Sequence, residues 1–188
     1  MSQIKLAPNA SGTGIFTIDS PNSNTNRTLT LPDATGTILT SATTTGFPAG
    51  SVLQVVNTLK TSLASIASTT FADISGLSAT ITPKSASNKI LILVSINGIT
   101  IEATVTALRT RILRDSTTLE YIDSSIGYSS LSQLYAGGVS IGYYDSPATT
   151  SSITYKIQFA TSNGNQAYIN NYTNNNSSST ITLMEIAA

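Results

Sequence analysis

An all-β chain, a β-sandwich or jelly roll, is predicted by three observations. After residue 51 the chain breaks into about eight segments rich in β-branched and aromatic residues, each bounded by Gly, Pro, Asn or Ser. No stretch carries a convincing helical pattern. Charged residues make up only 10% of the 188, against about 25% in soluble globular domains. Ser, Thr and Asn stand in their place.

Taken in order, residues 1–46 are Thr-, Ser-, Asn- and Gly-rich with isolated apolar positions. "FTI" (16–18) and "TLTL" (28–31) alternate with period two and read as short strands, while "DSPNSN" and "LPDATG" read as turns. "GTGIFTI" (12–18) is loosely echoed by "TGTILTS" (35–41). Such strands bury too little to repay the entropy of ordering alone. Copies from other chains could cover their apolar side; a solvated polar arm is the alternative. "GFPAG" (46–50) supplies a break, which divides the chain into 1–49, an attachment or stalk segment, and 50–188, a sandwich domain.

Within 50–188 the expected strands are 51–56, 77–82, 88–96, 106–113, 134–144, 152–160, 166–173 and 179–187. Residues 57–68 place Leu59, Leu63 and Ile66 at helical spacing but lack caps, and read as a loop. Parity assigns faces. Leu108 and Ile112 share one face with Thr106 and Thr110, and Arg109 and Arg111 take the other. Tyr155, Ile157 and Phe159 share a face from which Lys156 and Gln158 point away. "KILILVSI" (89–96) is apolar on both faces, so it is expected to be buried on both, centrally in the sandwich or against another subunit.

Nine basic and nine acidic residues cancel, so no field steers the chain to nucleic acid. Cys, His and Trp are absent, which excludes disulfides and thiolate or imidazole metal sites. The start lacks a secretory signal, and "ILILVSI" (90–96) is strand-sized rather than the roughly 18 apolar residues of a membrane span, so no membrane insertion is expected. No phosphate-binding or dinucleotide fingerprint occurs. Paired carboxylates could in principle cleave glycans; the candidates are Asp115, Glu120 and Asp123, with Asp145 more distant. "RDSTTLEY" (114–121) reads instead as a turn with solvated charges. The expectation is a protein without catalysis, cofactor or metal.

The positive signal is eight Tyr without Trp, several flanked by Gly, Ser and Asn, the composition of adaptable recognition surfaces. Tyr155, Tyr143 and Tyr168 read as packing residues. Tyr121, Tyr128 and Tyr172 each flank a polar loop and are the better candidates for exposure.

"GTGIFTI…NTNRTLTLPDATGTILT" resembles the stalk segments near the start of tail-fibre and other virion-surface proteins of bacteriophages. "GSVLQVV…GLSATITPKSASNKILILVSING" with the terminal "STITLMEIA" is similar to the β-sandwich knob that often follows such stalks. The resemblance implies a homotrimer with a short β stalk and a jelly-roll knob similar to C1q and tumour necrosis factor heads. It implies a virion location, a second virion protein gripping the N-terminal segment, and a bacterial surface glycan or protein bound by the knob. If the last strand ends near the stalk, the loop from Asn170 to Ser179 lies distally, and Asn170, Asn171, Tyr172 and Asn174 join Tyr121 and Tyr128 as candidate binding residues. A capsid decoration or head-fibre protein is the alternative, favoured by the short stalk.

Overall fold

The computed structural model describes residues 11–15, 17, 22–26, 28, 47–102, 104–129, 134–171 and 177–188. The chain divides into two units, Met1–Thr37 and Ile38–Ala188. In the first, the described residues are exposed and carry no strand. The stalk strands expected at 16–18 and 28–31, and the echo at 35–41, lie almost wholly outside the described residues.

The second unit is all-β. Its described residues form ten strands: β1 (Val52–Lys60), β2 (Ala64–Ile66), β3 (Ala72–Ile81), β4 (Lys89–Ile101), β5 (Thr106–Arg114), β6 (Thr117–Ser129), β7 (Leu134–Asp145), β8 (Ile153–Thr161), β9 (Ala167–Ile169) and β10 (Ser179–Ile186). One sheet runs β1-β10-β4-β9-β2 with β7 also paired to β4, and the other runs β3-β8-β5-β6. Without the short β2 and β9, two four-stranded antiparallel sheets remain, β1-β10-β4-β7 and β3-β8-β5-β6, with the connectivity of a jelly roll.

Period-two alternation builds the core. Ile90, Ile92, Val94 and Ile96 of β4 point inward with Ile181 and Leu183 of β10, and meet Leu108, Ile112, Tyr155, Ile157 and Phe159 from the other sheet. None is more than 3% exposed, and each such side chain contributes about 1.5–3 kcal/mol by its burial. The faces expected for β5 and β8 are those observed: Arg109, Arg111, Lys156 and Gln158 lie on the outer side.

Several elements differ from expectation. Residues 57–68 are no loop: β1 continues to Lys60 because it pairs with β10 along its whole length, and Ala64–Ile66 pair with β9. Leu59 and Leu63 are more than half exposed, so their helical spacing marks no buried face. "RDSTTLEY" is a turn only at Asp115 and Ser116, after which β6 begins. Repeated register shifts against β5 break the alternation of β6, which hid it. Finally, β4 is not central in the sandwich: among the described residues of the chain only one of its faces is covered. Leu91 and Leu93 point outward, and Leu93 remains 39% exposed.

Polar groups lock the ends. Asp145 is buried, accepts from Arg114 Nη1 at 2.9 and 3.1 Å and from Tyr155 Oη at 2.6 Å. Burial, and next the bond to Asp145, push the Tyr155 hydroxyl far above its ordinary range. Glu185, fully buried, accepts from Lys84 N, Asn88 Nδ2 and Gln54 Nε2 at 2.6–2.7 Å. Gly50 and Ser51 hydrogen-bond Ala187, so the chain end lies where β1 begins. Ser179 pairs with Lys60 at the far end of the same ladder.

Candidate recognition surface

On the outer face of the four-stranded sheet, one side chain from each strand falls into a single row. Asp73 of β3 is opposite Gln158 of β8, Gln158 is opposite Arg111 of β5, and Arg111 is opposite Tyr121 of β6. With strands about 4.8 Å apart, the row is about 14 Å long. Arg111 donates from Nε and Nη2 to Gln158 Oε1 at 2.9 and 2.6 Å. Gln158 Nε2 donates to Asp73 Oδ1 at 2.6 Å, and Lys156 Nζ donates to Asp73 Oδ2 at 2.8 Å. The guanidinium carbon of Arg111 lies 4.1 Å from the ring centre of Phe71, within cation–π range. The Phe71 and Tyr121 rings meet edge-on, 5.9 Å apart at 65°.

The hydrogen bonds from Lys156 and then Gln158 hold the Asp73 carboxyl below its ordinary range, so it is ionised at neutral pH. Its side chain is half exposed, and each oxygen retains acceptor capacity among the described residues. The row therefore alternates acceptor and donor groups beside an aromatic shelf, and every member is positioned by its neighbours.

Tyr121 and Tyr128 are exposed as expected, at 51% and 63%, but both sit on β6 rather than at a loop. Asn170 requires correction as a candidate binding residue. It is 1% exposed, and its amide is consumed by Lys60 O, Ser62 O and Ser179 Oγ. Asn171 is half-buried, with its N–H on Gly98 O and its carbonyl accepting from Thr100 Oγ1. Tyr172 and Asn174 lie outside the described residues. The structure thus separates Tyr121, on one sheet, from Asn170 and Asn171, which follow β9 of the other. Phe71, Asp73, Arg111, Lys156 and Gln158 were not singled out as binding residues from sequence. Parity turned Arg111 and Gln158 outward, but nothing local aligned them with Asp73 and Tyr121.

The outer face of the larger sheet has the opposite chemistry. Val55, Met184, Leu91 and Tyr144 form one row across β1, β10, β4 and β7; Asn57, Thr182, Leu93 and Gly142 form the next, and Leu59, Thr180, Ser95 and Ser140 a third. None of the twelve is charged. Gly142 leaves a depression of about 470 Å³ floored by Leu93 and bordered by Thr180 and Thr182.

The carboxylates weighed for catalysis are engaged locally. Asp115 Oδ1 accepts from Thr154 N, Glu120 Oε1 from Tyr121 N, and Asp145 belongs to the buried lock; the side chain of Asp123 is not among those described. Among the described residues no group of three His, Cys, Asp or Glu could hold a metal ion, and no helix is long and apolar enough to cross a membrane.

No protein-family model matches the chain, and no curated protein matches it. Among solved structures it is similar to the VP2 subviral particle of infectious bursal disease virus, at 15% identity over 72% of this chain and 38% of that one, with a TM-score of 0.43. It is also similar to the Gt strain of the same virus, at 12% identity over 82% and 43%, with a TM-score of 0.45. The chain spans about two fifths of the length of those proteins. These likenesses are remote and carry no residue correspondence or function.

Proposed function

We propose that this chain is a phage virion structural protein, a short tail fibre that attaches the particle to the bacterial host surface through its jelly-roll knob and acts by binding rather than catalysis. Its N-terminal segment joins it to another virion protein, and it assembles as a homotrimer. The observation that carries this reading is the contrast between the two outer faces: one has three consecutive rows without a charge and is partly apolar there, the other is polar and aromatic. Four strands at about 4.8 Å spacing and three rows, about six residues at about 3.4 Å, make a patch of roughly 400 Å². That is about half of the ~800 Å² each partner gives a standard interface. A second copy of the chain is its proposed occupant. The stalk-like phrase "TLTLPDATGTIL" supports a fibre and the polar-aromatic face supports attachment.

Two measurements test this. Light scattering on the full chain should give three times the 19.6 kDa chain mass, and Leu93→Lys should lower it; a monomeric wild type refutes the assembly. Immunogold labelling of purified particles should decorate the tail tip or tail-borne fibres. Label spread over the head would make the protein a decoration or head-fibre component instead.

A further inference from the structure

We propose that Asn163–Gly164, in the connection between β8 and β9, is a self-modification site: Asn163 deamidates through a succinimide, and the acidic product releases the turn that Val105 makes before β5.

The chain carries two Asn-Gly pairs, 97–98 and 163–164, and the fold treats them differently. An Asn closes on its own chain when the nitrogen of the next residue reaches its side-chain carbonyl carbon, and glycine, without a Cβ, leaves that approach open. Asn97 lies inside β4, opposite Gly138 of β7. Its amide nitrogen donates to Ser178 O at 2.7 Å and Ser95 Oγ at 3.2 Å, and a Cβ on Gly98 would meet Ser177 Oγ at 2.6 Å. That pair is locked and crowded.

Asn163 is exposed, and a Cβ on Gly164 would meet nothing within 4 Å. Asn163 Oδ1 accepts from Asn165 N at 3.2 Å, an Asx turn that folds the side chain back along the Gly164 peptide. The same oxygen accepts from Thr106 Oγ1 at 3.1 Å. Two donors thus converge on the atom that gains negative charge when Cγ is attacked, as in an oxyanion hole. Gly164 N–H donates to Thr161 Oγ1 at 3.1 Å, which orients the attacking peptide. Hydroxide from solvent removes the Gly164 amide proton, and that nitrogen bonds to Asn163 Cγ. The bond from Cγ to Nδ2 breaks, and the departing nitrogen takes a proton from water and leaves as ammonia. Water then opens the succinimide at either carbonyl, giving aspartate or isoaspartate with no change of oxidation state.

The nitrogen that leaves also restrains the fold. Asn163 Nδ2 donates to Val105 O at 3.2 Å, and Val105 holds a φ of 52°, a left-handed conformation foreign to a β-branched residue. A carboxylate at this position has no hydrogen to give that carbonyl, and an isoaspartate adds a main-chain carbon to the turn. Either product removes a restraint on a strained residue.

The test is peptide mass mapping of the full chain aged at mildly alkaline pH, folded and in urea. In the folded chain Asn163 should convert from amide to acid at least about tenfold faster than Asn97, a barrier lower by about 1.4 kcal/mol. Isoaspartate should appear among the products, and the rate should climb with pH. In urea the two sites should convert alike. Folded Asn163 converting no faster than folded Asn97 overturns the site. Thr106→Val should slow folded Asn163 about tenfold or more, the scale of one oxyanion donor, while Thr106→Ser keeps the rate and neither alters it in urea. An unchanged rate in Thr106→Val, with unchanged circular dichroism, overturns the part given to that hydroxyl. Asn163→Asp, which is the aspartyl product, should speed hydrogen exchange in the peptide carrying Val105, and unchanged exchange there overturns the release.

Discussion

Replacing Asn170 by Ala removes a junction between three strands. The Asn170 Nδ2 donates to Lys60 O at 2.9 Å and Ser62 O at 3.2 Å, and its Oδ1 accepts from Ser179 Oγ at 2.8 Å. The side chain thereby ties the end of β1 to the start of β10. Its backbone N–H bonds Asn97 O of β4. Truncation orphans groups that water cannot reach, at about 1–3 kcal/mol each. Counting only the two shorter bonds, at about 1.5 kcal/mol apiece, gives about 3 kcal/mol. The residue also holds a φ of 55°, a left-handed conformation that costs Ala about 1 kcal/mol and that Asn tolerates. The expected total is about 4 kcal/mol. With a urea slope of about 2 kcal/mol per M, the unfolding midpoint falls by about 2 M. Tyrosine fluorescence or far-ultraviolet dichroism at fixed protein concentration reads it, since the chain has no Trp. Asn170→Gly should lose about 3 kcal/mol, as it escapes the conformational cost. Asn170→Asp should lose more than Ala, because it turns a carboxylate toward two carbonyl oxygens. A change below about 0.5 kcal/mol in Asn170→Ala, a surface-like value, with host adhesion lost, would refute this account and restore Asn170 to a binding role.

Stability at alkaline pH should be governed in part by Tyr155. Its pKa is raised on folding, so its contribution is present below the unfolded value near 10 and is lost as pH rises further, at about 1.4 kcal/mol per pH unit. Tyr155→Phe should flatten that arm of a urea-stability profile; an unchanged arm counts against the buried hydroxyl as its source. Asp73 has the opposite sign: its pKa is lowered, so its small contribution is present above about pH 4 and lost as pH falls below it. Because the pair with Lys156 is solvated, Asp73→Asn should cost less than about 1 kcal/mol at pH 7, and a larger loss would mean the row is structural. Gly98→Ala should be destabilising by about 2 kcal/mol or more in thermal unfolding. A Cβ there would meet Ser177 Oγ at 2.6 Å and the Asn170 Cα at 3.0 Å, at a φ of +60°; a neutral result would show that this junction yields.

What the sequence determined by itself was the kind of element and the faces it presents. Side chains of a strand alternate whatever the strand pairs with, so Arg109 and Arg111 opposite Leu108 and Ile112, or Lys156 and Gln158 opposite Tyr155 and Ile157, were legible residue by residue. Two-sided hydrophobicity in "KILILVSI" was equally legible, but alternation cannot say whether Leu91 and Leu93 meet the same chain, another chain or water. Strand β6 escaped because bulges break its period against β5. Asn170 escaped because a polar run has the composition of a loop, while its burial depends on Lys60, Ser62 and Ser179. The Asp73–Gln158–Arg111–Tyr121 row was beyond reach for the same reason. Its members lie as far as 85 residues apart, and a register shift within β3 sets which of its side chains faces Gln158. Periodicity is a property of neighbours along the chain; register and the burial of polar groups are decided by partners that only the fold brings across.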